Sequence, residues 1–158
     1  GKKQKGKDML TRTMVKLIEE NTIGLVATVT PDGFPAVSPK ATMIVLDVTH
    51  IAFFDIRSPK TKRNIEFNPS VELNFIDVFR RQACRIRGNA SYIAHNDAEF
   101  GSLTENFKTW DSLIDSVKGI FVVEVLSAQQ ILSPAYDNGA DAELLKVEWL
   151  ARYNEIMS

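Results

Sequence analysis

Apolar residues recur at helical spacing near the start of the chain and at strand spacing over most of the remainder. Leu10, Met14, Leu17 and Ile18 repeat every three or four positions, which predicts an amphipathic helix over residues 8–21. After residue 22, β-branched and aromatic residues gather in short runs that turn-forming residues separate. The predicted strands are six, at residues 23–30, 34–46, 51–56, 71–76, 82–94 and 120–126.

Turn and cap residues mark where the predicted elements meet. Pro31-Asp32-Gly33 combines a preset φ with a glycine that accepts positive φ, which favours a tight turn between the first two strands. Ser58 followed by Pro59 is typical of a helix start, with the serine as N-cap, and Asn68-Pro69 ends that helix. The remaining predicted segments are two short helices within residues 96–118, a connection at 128–139, and a helix at 141–157 capped by Asp141.

Proline placement and side-chain alternation assign positions to two of the strands. Pro35 and Pro39 cannot donate ladder hydrogen bonds, so the strand at residues 34–46 is predicted to be an edge or irregular strand. In the strand at residues 82–94, one face is predicted to carry Cys84, Ile86, Gly88, Ala90 and Tyr92, and the other Ala83, Arg85, Arg87, Asn89 and Ser91. Cys84 is therefore predicted to be a buried, inert thiol.

Strands joined mostly by turns, with few helices, predict a mainly β protein that forms one domain over residues 1–158. We expect an antiparallel barrel of six strands, closed or nearly closed, because closure protects apolar strands from edge-to-edge association. The polar, lysine-rich residues 1–7 are predicted to form a disordered, solvated tail.

Charge and composition exclude several classes of function. The net charge of -1 argues against a protein that binds nucleic acid through a broad basic surface. No apolar run approaches the roughly 18 residues that a membrane-spanning helix needs. The single cysteine rules out an intrachain disulfide and suits a reducing cytoplasm, where we expect the protein to reside. His50 and His95 have no neighbouring second ligand in the sequence, which favours solvated histidines over a metal site.

The predicted helix start after Ser58 is a candidate anion site. The first turn of a helix presents unpaired backbone N–H groups and the positive end of the helix dipole. Lys60 would add a point charge and Thr61 a hydroxyl donor, so a phosphate group would be well bound there. A solvated basic helix start explains the same residues equally well.

Three further features have both a binding and a structural interpretation. Lys40, in the segment Ser38-Pro39-Lys40-Ala41-Thr42, needs either solvent or a counter-anion, and an edge-strand lysine that prevents aggregation is the alternative. Arg85 and Arg87 share a strand face and would either clamp a phosphate or pair with acidic neighbours. Phe53 and Phe54 would either flank a planar ring or belong to the core.

Taken in order, these segments resemble the FMN-binding split-barrel family of pyridoxamine 5′-phosphate oxidase. The resemblance covers residues 23–93 best and rests on the order and spacing of several motifs rather than on any one of them. The motifs are Pro31-Asp32-Gly33-Phe34-Pro35, Val37-Ser38-Pro39-Lys40, Ile51-Ala52-Phe53-Phe54-Asp55, Ser58-x-Lys60-Thr61-x-x-Asn64-Ile65-x-x-Asn68-Pro69, Val71-x-Leu73-x-Phe75 and Arg85-Ile86-Arg87-Gly88-Asn89-Ala90.

The resemblance implies a Greek-key-like split β-barrel with flanking helices and a homodimer with FMN at the subunit interface. It implies that Lys40, Lys60 and Thr61 hold the FMN phosphate. Further cofactor contacts would come from Ser38, Ala41 and Thr42 on the second strand, from Phe54 on the third, and from Arg85, which would reach the flavin bound mainly by the other subunit.

The resemblance points to an FMN-dependent oxidoreductase that acts on an unknown small substrate. Oxidation of vitamin B6 is not expected, because the final helix at residues 141–157 contains Arg152 as its single arginine and lacks the family's substrate-phosphate motif. The alternatives are a non-catalytic flavin carrier or sensor, and the same barrel with haem or the deazaflavin F420 as ligand.

Overall fold

Alternation of apolar and polar side chains produces seven strands over residues 9–158, the part of the chain that the computed structural model describes. The predicted tail at residues 1–7 lies outside the described residues. In chain order the strands are β1 (Gly24–Val29), β2 (Pro35–Lys40), β3 (Ile44–Asp47), β4 (His50–Asp55), β5 (Ser70–Asp77), β6 (Gln82–Ala94) and β7 (Gly119–Leu132). They form one sheet in the order β2-β1-β5-β6-β7-β4-β3, in which every neighbouring pair is antiparallel.

The mainly β, antiparallel architecture is confirmed; the two edge strands do not pair, so the sheet is not closed, and it has seven strands rather than the predicted six. The predicted strand at residues 34–46 breaks after Lys40, and residues 41–43 carry the chain from one edge of the sheet to the other. Thr42 is buried in this crossing, and its Oγ1 accepts a hydrogen bond of 2.8 Å from the Phe54 amide of β4. β2 is an edge strand, as the two prolines within it predicted.

β7 is longer than its apolar run predicted, because it pairs with β6 along the full length of that strand. Residues 128–132, predicted as part of a connection, therefore belong to the sheet. The pairing contains a bulge between Arg87 and Gly88. Gly88 is required there, because a Cβ atom would lie 2.3 Å from the Glu124 carbonyl oxygen.

The helices cover parts of the sheet and connect its strands. They are α1 (Arg12–Asn21), α2 (Pro59–Phe67), α3 (Phe100–Thr104) and α4 (Ala142–Met157), with 3-10 helices at Lys108–Ser116 and Pro134–Asn138. Thr11 caps α1 by accepting from the Met14 amide, and Asp141 caps α4 by accepting from the amides of Glu143 and Leu144. Within residues 9–158, none of these helices combines the length and apolar character that crossing a membrane requires.

The core lies between α1 and the inner face of the sheet, with a second cluster around α3 and the first 3-10 helix. The first cluster includes Ile18, Val26, Leu73, Phe75 and Ile86, all of them fully buried or nearly so. Cys84 belongs to it as well, and together with Ile86 it lies on the predicted inward face of β6. Burial raises the pKa of the Cys84 thiol to about 11, so the thiol is protonated at neutral pH.

Candidate functional site

Lys40 and Ser58 bring the end of β2 against the start of α2. The Lys40 ammonium donates a hydrogen bond of 2.7 Å to the Ser58 hydroxyl oxygen. Strand pairing places Ser38 and Lys40 on the sheet face of Val26, so both side chains extend toward the side that α2 covers. The amide of Asn64 in α2 donates to the Thr28 hydroxyl of β1 at 3.0 Å, which fixes the helix over this part of the sheet.

Ser58 occupies the N-cap position of α2, but its side chain makes no capping hydrogen bond. The prediction that this hydroxyl caps the helix is therefore wrong. Its oxygen accepts from Lys40 instead, and its backbone angles, φ -135° and ψ 54°, are not the extended ones that an N-cap residue usually adopts. The amides of the first turn of α2 are left without a side-chain partner from the cap residue.

Lys60 and Thr61 both lie in that first turn but differ in exposure. Lys60 is exposed to solvent, so its ammonium is free to approach an anion above the helix start. Thr61 is only 5% exposed, and it offers an anion its backbone amide more readily than its hydroxyl.

Asp55 supports this arrangement from below, at the end of β4. One carboxylate oxygen accepts from the Ser58 amide at 2.9 Å, and the other accepts from the Tyr92 hydroxyl at 2.7 Å. The residue is 3% exposed. We refer to Lys40, Asp55, Ser58 and Tyr92 as the Lys40 corner. Tyr92 lies on the inward face of β6, as its position in the alternation predicted, but nothing in the local sequence predicts a role for Asp55 or Tyr92.

Burial and charge shift the pKa values of two residues of the Lys40 corner, Lys40 and Tyr92. Burial lowers the pKa of Lys40, and the negative charge of Asp55 opposes that change. Burial raises the pKa of Tyr92, and its hydrogen bond to Asp55 and the charge of Asp55 raise it further. The Lys62 ammonium lies over the Tyr92 ring, 4.7 Å from its centroid. With Lys118, Lys62 also lines a cavity of about 310 Å³ beside Asp55, Ser58 and Tyr92.

The residues predicted to line a flavin ring occupy different environments. Ser38 is half-buried beside Lys40, and Ala41 is exposed at the end of β2. Thr42 is buried, and its hydroxyl oxygen accepts a hydrogen bond from the Phe54 amide of β4. Phe54 is 3% exposed and stacks on Phe107 with 4.0 Å between ring centroids, so it belongs to the second core cluster.

Arg85 lies on the opposite face of the sheet from Lys40. Its Nε is 3.4 Å from a carboxylate oxygen of Glu72 but makes no hydrogen bond, whereas Arg87 donates to the other oxygen of that carboxylate at 3.1 Å. This outer face also presents Leu25, Val37 and Ile76, which strand pairing places in the same layer. Within one chain, the sheet separates Arg85 from the Lys40 corner.

The outer face also contains a cleft of about 490 Å³. It is lined by Ala27, Val29, Pro35, Val71 and Leu126 among others, and the charged residues Glu72 and Arg87 line it as well. The cleft is mainly apolar, and the exposed Val37 pairs in the sheet with Ala27, one of the residues that line it.

The two histidines lie outside the Lys40 corner. His50 shares a hydrogen bond of 2.9 Å with the Asp47 carboxylate, and the His95 ring packs against Phe100 with 4.9 Å between centroids. Across residues 9–158, no three His, Cys, Asp or Glu side chains converge as metal ligands do.

Comparison with known proteins places this geometry in context. A family model described as pyridoxamine 5′-phosphate oxidase matches residues 10–133. No curated protein matches the chain at the sequence level.

Solved structures share the fold across most of the chain. HupZ of Group A Streptococcus is 26% identical with a TM-score of 0.69, and the match covers 79% of this chain and 96% of HupZ. A pyridoxamine 5′-phosphate oxidase-related, FMN binding protein of Nostoc punctiforme is 14% identical with a TM-score of 0.61, covering 76% of this chain and 82% of that one. An FMN-binding protein of Syntrophomonas wolfei is 11% identical with a TM-score of 0.61, covering 75% and 84%.

Proposed function

Because the chain belongs to the pyridoxamine 5′-phosphate oxidase family, we propose that it binds FMN, with the phosphate of the cofactor at the Lys40 corner. The single observation that carries this proposal is the hydrogen bond from Lys40 to Ser58. It brings a lysine to a helix start whose N-cap side chain is engaged elsewhere. Backbone amides, the helix dipole and a cation therefore converge at one point.

The residues of the corner fit a phosphate group. The Lys40 ammonium has three N–H groups, of which one serves Ser58. The Ser58 hydroxyl accepts from Lys40 and retains its own hydrogen to donate. The amides of Lys60 and Thr61 and the exposed Lys60 ammonium would supply the further donors that a dianion needs.

When bound, the flavin supplies the hydride or electron transfer, and the side chains bind and orient it. Lys40, Ser58, Lys60 and the first-turn amides of α2 would hold the phosphate end of the cofactor, and Ser38, Ala41 and Thr42, at and just after the end of β2, would lie nearest to the flavin. We propose an oxidoreductase reaction on a small substrate in the cytoplasm. The single cysteine suits a reducing compartment.

We further propose that two copies of the chain bind FMN between them. Arg85 lies on the face that carries exposed apolar side chains, which a second copy would cover, and we propose that it contacts the flavin bound mainly by that copy. This arrangement gives Arg85 a cofactor role that the sheet prevents within one chain.

The experiment that tests cofactor binding begins with mass spectrometry and absorbance of the natively purified protein. We expect FMN, with flavin absorbance bands, and recovery of those bands when FMN is added to the stripped protein. Riboflavin should bind more weakly than FMN, because it has no phosphate for the Lys40 corner. Haem or F420 as the only tight ligand would overturn the proposal.

Turnover is tested separately from binding. Stopped-flow mixing of the FMN-loaded protein with nicotinamide nucleotides should bleach the flavin absorbance, followed by recovery when an oxidant is added. A flavin that stays oxidised with each nicotinamide nucleotide and with small-molecule reductants would favour a carrier or sensor over an oxidoreductase.

A further inference from the structure

We infer that Asp55 and Tyr92 are positioning residues, which hold Ser58 so that its hydroxyl serves Lys40 and a bound phosphate rather than its own helix. The inference rests on the proposed function and assigns the orientation of the phosphate-binding groups to two residues beneath them. Asp55 and Tyr92 lie on different strands, β4 and β6, and meet through a hydrogen bond of 2.7 Å.

Asp55 has both carboxylate oxygens engaged. Oδ1 accepts from the Ser58 amide and Oδ2 from the Tyr92 hydroxyl, and the side chain is almost fully buried. A buried carboxylate is costly unless hydrogen bonds and a nearby positive charge stabilise it. Here the hydrogen bonds come from Ser58 and Tyr92, and the charge comes from Lys40. The carboxylate is thereby fixed beneath the helix start.

The hydrogen bond from the Ser58 amide to Asp55 determines what the serine hydroxyl can reach. A serine at the N-cap position ordinarily accepts from an amide of the first helical turn, which would occupy the donors that a phosphate needs. Asp55 holds the backbone of Ser58 at φ -135° and ψ 54°, and the hydroxyl oxygen lies 2.7 Å from the Lys40 ammonium. The first-turn amides stay available as a result.

Tyr92 keeps Asp55 from pairing directly with Lys40. The tyrosine hydroxyl donates to Oδ2, the oxygen that Ser58 does not use. Without that donor, Oδ2 would need another partner, and the Lys40 ammonium, whose charge already interacts with Asp55, is able to supply one. The Lys40 ammonium would then bond to Asp55 instead of Ser58. Neither that ammonium nor the Ser58 hydroxyl would remain in position to bind the phosphate.

The test measures how much the phosphate contributes to binding, as the ratio of the riboflavin Kd to the FMN Kd. Tyr92→Phe, which removes only the hydroxyl, should lower this ratio by about fivefold to tenfold, as expected when a hydrogen bond to a charged group is weakened. The riboflavin Kd should stay within about twofold of its original value. Asp55→Asn keeps the side-chain shape and should also lower the ratio.

A double-variant cycle separates positioning from simple loss of stability. If Tyr92 acts through Ser58, the fall in the ratio in the Ser58→Ala, Tyr92→Phe double variant should be smaller than the two single effects combined. Tyr136→Phe is the matched control, since Tyr136 donates to the Arg80 carbonyl at 2.7 Å near the opposite end of β6. We expect Tyr136→Phe to change the melting temperature about as much as Tyr92→Phe does, while leaving the ratio of the two Kd values unchanged.

The outcomes distinguish this inference from the proposed function. A starting protein that binds riboflavin as tightly as FMN would overturn the phosphate site, and the inference would fall with it. A protein that prefers FMN, with a ratio unaffected by Tyr92→Phe and Asp55→Asn, would overturn the inference alone. Additive losses in the Ser58→Ala, Tyr92→Phe double variant would also overturn it, because Tyr92 would then act independently of Ser58.

Discussion

Lys40 is half-buried beside a hydroxyl group, so its charge depends on pH more than that of a surface lysine. Burial lowers its pKa from 10.5, and Asp55 only partly opposes this. The folded protein therefore releases the Lys40 proton at a lower pH than the unfolded chain does. By linkage, the unfavourable contribution of a charged, buried Lys40 to stability is present at neutral pH and disappears as the pH rises between these two pKa values.

The titration of Lys40 predicts how FMN binding varies with pH. A bound phosphate dianion favours the charged ammonium, so the preference for FMN over riboflavin should decline as the pH rises toward 10.5. Measuring both Kd values above pH about 7.5, where a phosphate monoester is a dianion, isolates this effect, because the two ligands share the flavin ring. Lys40→Arg keeps its charge over that range and should show a flatter profile. An equally steep profile in that variant would assign the pH dependence to another group.

Lys60 provides a second test of the phosphate site. Its exposed ammonium lies in the first turn of α2, where an anion meets the helix dipole and the free amides. We predict that Lys60→Ala weakens FMN binding roughly tenfold to a hundredfold, the size of a lost charged hydrogen bond, and weakens riboflavin binding much less. Titration by fluorescence or calorimetry would measure both.

Lys16→Ala is the matched control for that variant. Lys16 is also an exposed lysine in a helix, but it belongs to α1 and pairs with Glu20 at 3.8 Å. Its removal should change neither Kd. If Lys60→Ala weakened the binding of FMN and riboflavin equally, the phosphate site would not be at Lys60. If it weakened neither, the basic start of α2 would be only a solvated surface.

Residue types alone could indicate part of the candidate site. A Ser-Pro pair followed by Lys60 and Thr61 predicts a helix start with anion-binding chemistry from local rules. Asp55 and Tyr92 carry no such local signal, because they are 37 positions apart in the chain and meet only after β4 and β6 are placed in the sheet. The buried position of Phe54 likewise depends on Phe107, a residue of a distant irregular segment.

At the scale of elements, side-chain periodicity indicated which segments are strands but not where each strand ends. Pro35 and Pro39 predicted an edge strand, and β2 is one. The break after Lys40 was missed, because residues 41–43 are compatible with a strand and leave the sheet only to reach its other edge. The last part of β7 was missed as well, because its polar residues form a strand only by pairing with β6.

The bulge between β6 and β7 makes a sharp prediction about stability. A Cβ on Gly88 would lie 2.3 Å from the Glu124 carbonyl oxygen and 2.7 Å from a Val123 methyl carbon. Because the first of these atoms is backbone, the two strands would have to separate. We predict that Gly88→Ala destabilises the protein by about 2 kcal/mol or more, the upper part of the range for overpacking. Chemical denaturation would measure the loss.

Gly101→Ala is the control for that experiment. Gly101 lies in α3, and a Cβ there would have no heavy atom within 4 Å. The variant should be neutral or more stable by about 0.5–1 kcal/mol, because alanine is the better helix former. A Gly88→Ala protein as stable as the original would show that the strands can separate at the bulge without cost.

The outer face of the sheet carries apolar side chains that a single chain leaves exposed. Val37 is 62% exposed, and Leu25, Ile76 and Leu126 are exposed near it. The cleft of about 490 Å³ lies on the same face, beside the Glu72, Arg85 and Arg87 cluster. Apolar surface bordered by charges is typical of protein interfaces, and a two-fold pair is the commonest way to cover it with a copy of the same chain.

We predict that the protein sediments at about twice its chain mass of 17.7 kDa at micromolar concentration. Val37→Glu should shift it to the monomer, because a carboxylate would be buried against an apolar surface. Val147→Glu is the matched control, since Val147 is 64% exposed on α4 and lies outside that face. It should sediment like the original protein.

Cofactor binding should follow the oligomeric state if the partner subunit completes the site. The Val37→Glu monomer retains its own Lys40 corner, so it should keep the preference for FMN over riboflavin while losing affinity for both, as the flavin ring loses contacts from the second chain. Arg85→Ala in the dimer should likewise weaken the binding of both ligands, because the sheet separates Arg85 from the phosphate-binding residues of its own chain. A monomeric variant that binds FMN as tightly as the dimer would show that each chain binds the cofactor alone. A loss of phosphate preference in Arg85→Ala would instead place that arginine on the phosphate.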